Sequence, residues 1–458
     1  MVINPSIFKS YDIRGIYPTD LNEEIMNDVT KAIYTFFKKK SNKENPTVVI
    51  GRDMRLSSPS LFNAAVRTLK ELGAKVIDIG LVSTPTFYFA VFHYGYDCGF
   101  QITASHNPKE WNGTKIVKNT PKGLIKIGKT TGMDEIKNIA IDKTFVSSTS
   151  GGSVEKKDNV IKDEVKNALN IAGNMQIKPF KVVADAANAM GAQYIEEIFK
   201  HIPGELIKMN FELDGSFPVH QPDPLQAKNL IDLQKKVVEE KADMGFAPDG
   251  DGDRLFFIDE NGNIVPPSII TGMISAEFLK NNPNETILVD IRYLLTPKKI
   301  IEENNGKMIV TKVGHAYITE EMHKSNGIFA GESSSHFFFR DTGNAESQMA
   351  TILTVLGILS KINKSLSEVV EMYRRSFESG EYNFKVSNAS KIMDELKEKY
   401  KDGVLNLLDG IAITYPNWRF SVRTSNTEPL LRLNIEALEK EVMEQKRDEL
   451  ISFIENLK

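Results

Sequence analysis

Through residues 1–146, short apolar runs alternate with segments in which apolar side chains return every three or four positions. Thr47–Gly51 reads as a strand, Ser60–Leu72 as a helix that stops at Gly73, and Lys75–Gly80 as the next strand. This alternation predicts a mostly parallel sheet covered by helices. The rhythm then repeats. A strand over Lys181–Asp185, helices over Gly191–Lys200 and Ala227–Glu240, and the apolar run Met244–Ala247 make a second unit. A third has a helix over Ile269–Leu279, strands over Thr286–Asp290, Met308–Lys312 and Ile328–Ala330, a helix near Ala316–Lys324 and a closing helix over Asn344–Ile362. Ser147–Ser153, rich in serine and glycine, reads as a linker between the first two units, followed by a charged helix start. After the third unit come a charged helix (Ile392–Tyr400), three strands (Gly410–Tyr415, Trp418–Arg423, Leu430–Glu436) and a C-terminal helix (Glu439–Leu457). That pattern predicts a small α+β domain of another type. A repeated fold accommodates the three α/β units, although no periodic identity marks them.

A chain of 458 residues has room for about three or four domains. Its net charge of −4 argues against nucleic acid or an acidic membrane surface as the main partner. The single cysteine, Cys98, rules out a disulfide framework and suits a reducing cytoplasm; within an apolar run it reads as an inert buried thiol. The N-terminus lacks the pattern of a signal peptide, and no stretch approaches the 18 apolar residues of a membrane span, so no membrane partner is expected.

The most informative stretch is Asp249-Gly250-Asp251-Gly252-Asp253-Arg254, set between the apolar runs Met244–Ala247 and Leu255–Ile258. In an extended chain, carboxylates on alternate residues point the same way but lie too far apart to share a small ion. Gly250 and Gly252 allow the chain to curl so that the carboxylates converge. Such a concentration of negative charge asks for a hard divalent cation, Mg²⁺ before a transition metal. A plain Asp/Gly turn fits the same residues less well. An EF-hand loop does not fit, because its sixth position must be glycine and here is Arg254, and strands rather than helices flank the loop.

In sheets of this kind ligands bind beyond the carboxyl ends of the strands. Gly51-Arg52-Asp53 and Thr103-Ala-Ser105-His106-Asn107-Pro108 stand at two such ends. Pro108 keeps Asn107 out of helix, so the second loop holds Ser105 at a strand tip as a nucleophile or, once phosphorylated, a phosphoryl donor. A turn explains the same residues, and no G-x-S-x-G elbow supports a serine–histidine–aspartate triad. Arg423-Thr-Ser425-Asn426-Thr427, with Arg432 further on, can make an anion-binding turn, and a plain polar turn fits it equally. Gly331-Glu332-Ser-Ser334-Ser-His336 offers a carboxylate and a hydroxyl to sugar hydroxyls, and a plain strand-to-loop junction explains the same residues. Gly314-His315 and Tyr11-Asp-Ile-Arg14-Gly15 are ambiguous by themselves.

Taken in order, these segments, together with Asn112-Gly-Thr-Lys115, resemble the α-D-phosphohexomutase superfamily, and within it the phosphomannomutase/phosphoglucomutase branch, over nearly the whole chain. The resemblance implies an α/β fold of three related α/β domains with mixed sheets and a smaller C-terminal α+β domain, around a central cleft. The corresponding boundaries are 1–146, 154–258, 259–366 and 374–458. It implies that Ser105 is the phosphoserine, with His106 beside it, and that Asp249, Asp251 and Asp253 bind Mg²⁺ together with an oxygen on Ser105. Glu332, Ser334 and His336 are implied to meet the sugar, and Arg423, Ser425, Asn426, Thr427 and Arg432 its phosphate. Arg14, Lys115, His315 and Arg254 are implied to line the reaction centre, with Tyr11, Arg292 and Gly314 also contacting substrate.

The implied reaction interconverts hexose 1- and 6-phosphates of mannose or glucose through a hexose 1,6-bisphosphate, with Lys115 or His315 as proton acceptor. Its partner is a small phosphosugar, and the protein is expected to work as a monomer or homodimer. A phosphoglucosamine mutase and a non-catalytic sugar-phosphate or ion-binding protein are the alternatives. One position departs from the pattern: Ser335 stands where the sugar loop usually carries glycine. If that position has a positive φ, the serine strains the loop and can shift Glu332 or Ser334.

Overall fold

The computed structural model describes residues 2–41, 43–147, 151–424 and 430–457. It divides into two compact units, one of Met1–Val265 with Ser334–Ser367, the other of Pro266–Ser333 with Glu368–Lys458.

The first unit opens with β1 (Ile13–Ile16), β2 (Thr47–Arg52), β3 (Lys75–Leu81), β4 (Cys98–Ile102), β5 (Trp111–Thr120), β6 (Gly123–Lys126) and β7 (Ser153–Lys156). Their sheet runs β1-β5-β4-β2-β3-β7, with β6 on β5. β2 is parallel to β3 and β4, and β7 parallel to β3, whereas β5 is antiparallel to β1, β4 and β6. Alternation along β2 shows how the layers form. Val48 and Ile50 join the core under the helices Glu23–Lys40, Ser58–Glu71 and Met133–Asp142, while Val49 faces the helix Thr84–His93 on the other side. Cys98 is buried at the start of β4, and burial pushes its thiol well up, as an inert core thiol requires.

The charged segment after the linker does not begin as helix. Ser153–Lys156 extends the first sheet as β7, and the helix Val160–Ile171 starts only after Asn159. That helix carries Glu164, a buried carboxyl one of whose oxygens has no hydrogen-bond partner among the described residues. Burial pushes it up to about 7, against the hydroxyl of Thr86, which pulls it down. As pH rises from the ordinary 4.5, the unfolded chain loses this proton first, so stability falls until about pH 7 and then levels off. Glu164→Gln removes that fall. Denaturation curves should show the variant gaining on the parent by on the order of 2 kcal/mol between pH 4.5 and 8.

The second sheet contains β8 (Phe180–Asp185), β9 (Gly204–Met209), β10 (Met244–Pro248) and β11 (Leu255–Asp259), in the order β11-β10-β8-β9. β10 and β11 form an antiparallel hairpin in register Pro248↔Leu255, so Asp249–Arg254 is its turn. Strands flank the acidic loop, as expected. The helix expected over Ala227–Glu240 opens as a 3-10 turn, Ala227–Leu230, before the α-helix Ile231–Glu239.

The chain then enters the second unit, where β12 (Thr286–Asp290) lies parallel to and between β13 (Lys307–Thr311) and β14 (Phe329–Gly331). Back in the first unit, β15 (Phe337–Phe339) and β16 (Ala345–Glu346) pair antiparallel, ahead of the buried helix Gln348–Ile362. The expected helix start at Asn344 is thus corrected. Ala345–Glu346 is strand, and the side chain of Ser347 caps the helix by accepting from the Ala350 N–H. The chain closes in the second unit with β17 (Phe377–Lys385), β18 (Val404–Asn406), β19 (Ile411–Thr414), β20 (Trp418–Thr424) and β21 (Leu430–Ala437), ordered β17-β21-β20-β19-β18 and antiparallel throughout. Among the described residues no single helix is long and apolar enough to cross a membrane.

Ser335 is buried and takes φ +66°, the left-handed conformation that favours glycine, while its carbonyl accepts from the Leu255 N–H at 3.1 Å. The condition for strain set by the sequence is met. Ser335→Gly should therefore stabilise the fold by about 0.5 kcal/mol, strain relief exceeding the added unfolded-state entropy, as a urea titration would show.

Candidate active site

Ser105 follows β4 through Thr103 and Ala104, is buried, and holds φ +50°. Its N–H donates to Thr103 Oγ1 at 3.0 Å, and its hydroxyl donates to Asp249 Oδ2 at 2.9 Å with His106 Nδ1 3.2 Å away. The serine and acidic loops, 144 residues apart in sequence, thus meet directly. They meet closely because position 250 has no side chain: a Cβ there would lie 2.3 Å from the Ser105 carbonyl oxygen. Gly252 supplies the curl with φ +78°.

The three aspartates are fully buried, and one carboxylate oxygen from each lies within 4.8 Å of the others. Each is fixed separately. Asp249 Oδ1 accepts from the N–H groups of Gly252 and Arg254, both at 3.1 Å. Asp251 accepts from Thr84 twice, Oδ2 from the hydroxyl at 2.6 Å and its carbonyl from the N–H at 2.9 Å. Asp253 Oδ1 lies 3.2 Å from His336 Nε2, and its carbonyl accepts from Gln348 Nε2 at 2.5 Å. The Lys115 ammonium, buried on β5, bridges Asp251 at 2.7 Å and Asp253.

The electrostatics follow from this crowding. Burial and then Asp253 and Asp251 push the Asp249 carboxyl up to about 7. Burial also acts to raise Asp253, but Lys115 and His336 outweigh it and hold that carboxyl well below the usual range. For Lys115 burial favours the neutral amine, and the aspartates overcome it, so the ammonium persists. His106 is neutral, held down by burial and then by Arg254 and Arg14. Asp251 Oδ1 is a buried oxygen with no hydrogen-bond partner among the described residues. An oxygen-only cluster with an orphaned acceptor and a carboxylate driven toward protonation fits a hard divalent cation.

Arg14 donates to Asp12 at 2.8 Å, to the Ala104 carbonyl at 3.3 Å and to the Asn107 side chain. Arg254 lies 3.7 Å from Asp223, and its Nε makes no hydrogen bond. Tyr11 sits half-buried on the bend before β1. Ser334 Oγ and His336 Nδ1 are 3.0 Å apart. The structure therefore gathers Ser105, His106, Arg14, Lys115, Arg254, His336 and the aspartates in the first unit.

Tyr11 and Ser334 belong to the first unit as well, and Arg292, Gly314, His315, Glu332, Arg423 and Arg432 stand in the second. Glu332 accepts from the Gly314 N–H at 2.8 Å and lies 3.4 Å from the Arg292 guanidinium, which is seated on Asp290 at 2.8 Å. His315 opens the helix His315–Ser325. Arg423 and Arg432 both face Glu381, at 3.2 and 3.3 Å, and Arg292 approaches the same carboxylate at 3.9 Å. Three guanidinium groups thus converge on one carboxylate. Ser425, Asn426 and Thr427 lie outside the described residues.

Sequence reasoning missed several residues that hold the site. Glu381 sits on β17, whose alternation is broken by a bulge between Glu378 and Glu381, with Gly380 at φ +77°. Gln221 donates to the His106 carbonyl at 2.7 Å, and the next carbonyl, of Pro222, accepts from Gly250 N–H at 3.1 Å. Thr84, Gln348 and Arg55 also escaped notice, and only Arg55 adjoined a segment already singled out.

Models of four domains match in succession: phosphoglucomutase/phosphomannomutase alpha/beta/alpha domain I over residues 5–145, domain II over 162–262, domain III over 267–376, and the C-terminal domain over 381–452. A phosphomannomutase of Vibrio cholerae is 37% identical, with 98% of each chain covered, and one of Methanocaldococcus jannaschii is 36% identical over the same shares. A solved structure of a phosphoglucomutase/phosphomannomutase family protein from Burkholderia thailandensis superimposes with a TM-score of 0.87 at 29% identity, covering 99% of this chain and 98% of that one. The fold, the succession of four domains and relatives alike over their whole length agree: the chain belongs to the phosphoglucomutase/phosphomannomutase family, whose members are phosphohexomutases, intramolecular phosphotransferases of the isomerase class.

Proposed function

We propose that this enzyme interconverts mannose 1-phosphate and mannose 6-phosphate through phosphorylated Ser105 and a hexose 1,6-bisphosphate. The observation that carries the reading is the 2.9 Å hydrogen bond from Ser105 Oγ to Asp249, in a buried pocket of three convergent carboxylates. A serine so placed has its reactive oxygen against a candidate metal centre. Asp249, Asp251, Asp253 and an oxygen on Ser105 would hold Mg²⁺, which when bound neutralises charge on the transferring phosphoryl group.

In the forward half-reaction the bond between phosphorus and Ser105 Oγ breaks as a new one forms to the free hydroxyl of the monophosphate. The resulting bisphosphate turns round, and Ser105 takes back the other phosphoryl group. Arg14 and Lys115 add positive charge where it spreads. As the phosphoryl returns, His106, neutral and 3.2 Å from Oγ, can accept the proton of the serine hydroxyl; as it leaves, Oγ takes up the proton that the attacking hydroxyl gives up. Lys115 stays an ammonium while it bridges two free carboxylates; with a cation held there its proton affinity would drop, and after releasing a proton to solvent its neutral amine could accept that of the attacking hydroxyl. His315 is the other proposed acceptor.

The substrate's second phosphate needs cations away from the reacting end. Arg423 and Arg432 suit it, with Ser425, Asn426 and Thr427 on the same segment, because a phosphate can displace Glu381 from their guanidinium groups. Glu332, Ser334, His336, Arg292, Gly314 and Tyr11 are proposed sugar contacts. A reducing cytoplasm suits the buried thiol.

Mannose is favoured because relatives 32–37% identical over more than nine-tenths of the chain carry the name phosphomannomutase. Rates on mannose, glucose and glucosamine 1-phosphates, with a trace of bisphosphate, test this. Mannose 1-phosphate should exceed glucosamine 1-phosphate by roughly tenfold or more in kcat/KM. The reverse order would make the protein a phosphoglucosamine mutase.

A further inference from the structure

We propose that Arg55 is a positioning residue for phosphoryl transfer, whose buried guanidinium fixes the path of the Ser105 loop; the proposal rests on Ser105 being the group that carries the phosphoryl. Arg55 has no exposed surface, a placement tolerated for arginine when its charge is paired. Among the described residues Nε makes no hydrogen bond, so the side chain's hydrogen bonding falls to the terminal nitrogens. Its charge is paired on its own loop: Nε lies 3.3 Å from Asp53 Oδ2. Asp53 is fixed in turn by the Ser58 hydroxyl at 2.5 Å and the Arg55 N–H at 3.0 Å. The face of the guanidinium rests 5.2 Å from the ring centre of Phe217.

Both terminal nitrogens point at one loop. Nη2 donates to the carbonyls of Ser105 at 2.6 Å and Asn107 at 2.7 Å, and Nη1 to those of Pro108 at 2.8 Å and Trp111 at 3.0 Å. Four carbonyl dipoles converging on one spot repel each other unless a cation sits there, so the shape of this loop depends on Arg55. It includes Ser105 at φ +50°, a conformation that a serine does not choose unaided. The Ser105 carbonyl is trapped between Arg55 on one side and the side-chain-free Gly250 on the other. The hydroxyl is left aimed at Asp249. An arginine serving only the core would spread its donors across the domain. This one spends all four terminal bonds on the reactive serine's loop, in a planar fork that lysine cannot reproduce.

The test compares Arg55→Lys with the milder Ser58→Ala, which loosens Asp53, and reads four quantities on folded protein: kcat, KM, Mn²⁺ affinity, and the single-turnover rate of phosphate transfer from hexose 1,6-bisphosphate onto Ser105. Because a displaced reacting atom costs rate rather than binding, Arg55→Lys should lower kcat and the transfer rate together by roughly 100-fold and Ser58→Ala by about fivefold, with KM and Mn²⁺ affinity within about threefold of the parent. Unchanged kcat in either variant would overturn the proposal. So would parallel losses of kcat and Mn²⁺ affinity, which mark general loosening. If Arg55→Lys does not fold, the Ser58→Ala values decide alone. A parent enzyme that turns over with no phosphate ever on Ser105 would overturn the functional reading itself.

Discussion

Ser105→Ala should abolish mutase turnover, by at least about 10⁴-fold in kcat, and leave the protein folded. The chemical reason is that among the described residues no other hydroxyl is placed as Ser105 is, 2.9 Å from Asp249 with a neutral imidazole beside it. A double-displacement route loses its carrier when that oxygen goes, and direct transfer between two sugars has no compensating geometry. The structural consequence is small. Alanine accepts the same left-handed backbone as well as serine does, and Asp249 keeps its two bonds from Gly252 and Arg254. The two hydrogen bonds of the hydroxyl, to Asp249 and His106, are lost, each worth about 1 kcal/mol, so the melting temperature should move by only several degrees. Near-normal rates in the variant would refute the assignment.

The second large effect is expected at the carboxylates. Asp251→Asn keeps the shape of the loop and removes one of the three charges; Asn can still accept from the Thr84 hydroxyl. We expect kcat/KM to fall roughly 10³-fold and Mn²⁺ affinity by at least about tenfold, and a chelator to silence the parent enzyme reversibly. Both arms have a reason in the arrangement. Asp249 is already pushed up to about 7 by burial and then by Asp253 and Asp251, three carboxylates against the one ammonium of Lys115. Full activity in chelator, or unaltered metal affinity in the variant, would contradict a metal centre built on these residues.

The site was legible in the sequence where its chemistry is concentrated in a few adjacent residues. The alternation of aspartate and glycine in 249–254 announced both the convergence of carboxylates and the turn that allows it, and a hairpin between two strands is what the structure contains. The resemblance added the pairing of this loop with Ser105, which no local pattern encodes. What stayed hidden acts through groups common to any protein. Arg55 and Gln221 work on backbone carbonyls, and Thr84 looks like an ordinary helix-start residue one position after the capping Ser83. β5 is a buried strand that reads as polar because Asn112, Thr114 and Lys115 are turned inward, Asn112 onto Ser57 and Ser58 and Lys115 onto Asp251 and Asp253, rather than toward water. β17 was missed because its bulge erases the alternation a strand announces itself by, and with it went Glu381, the carboxylate to which Arg423 and Arg432 are tied.

The most direct test weighs the intact protein and maps its phosphate. After exposure to hexose 1,6-bisphosphate and removal of free ligand, the chain should be heavier by about 80 Da, the addition should map to Ser105, and hexose monophosphate should discharge it at a rate matching turnover. Phosphate on another residue, or none at all in a fully active enzyme, would contradict the account.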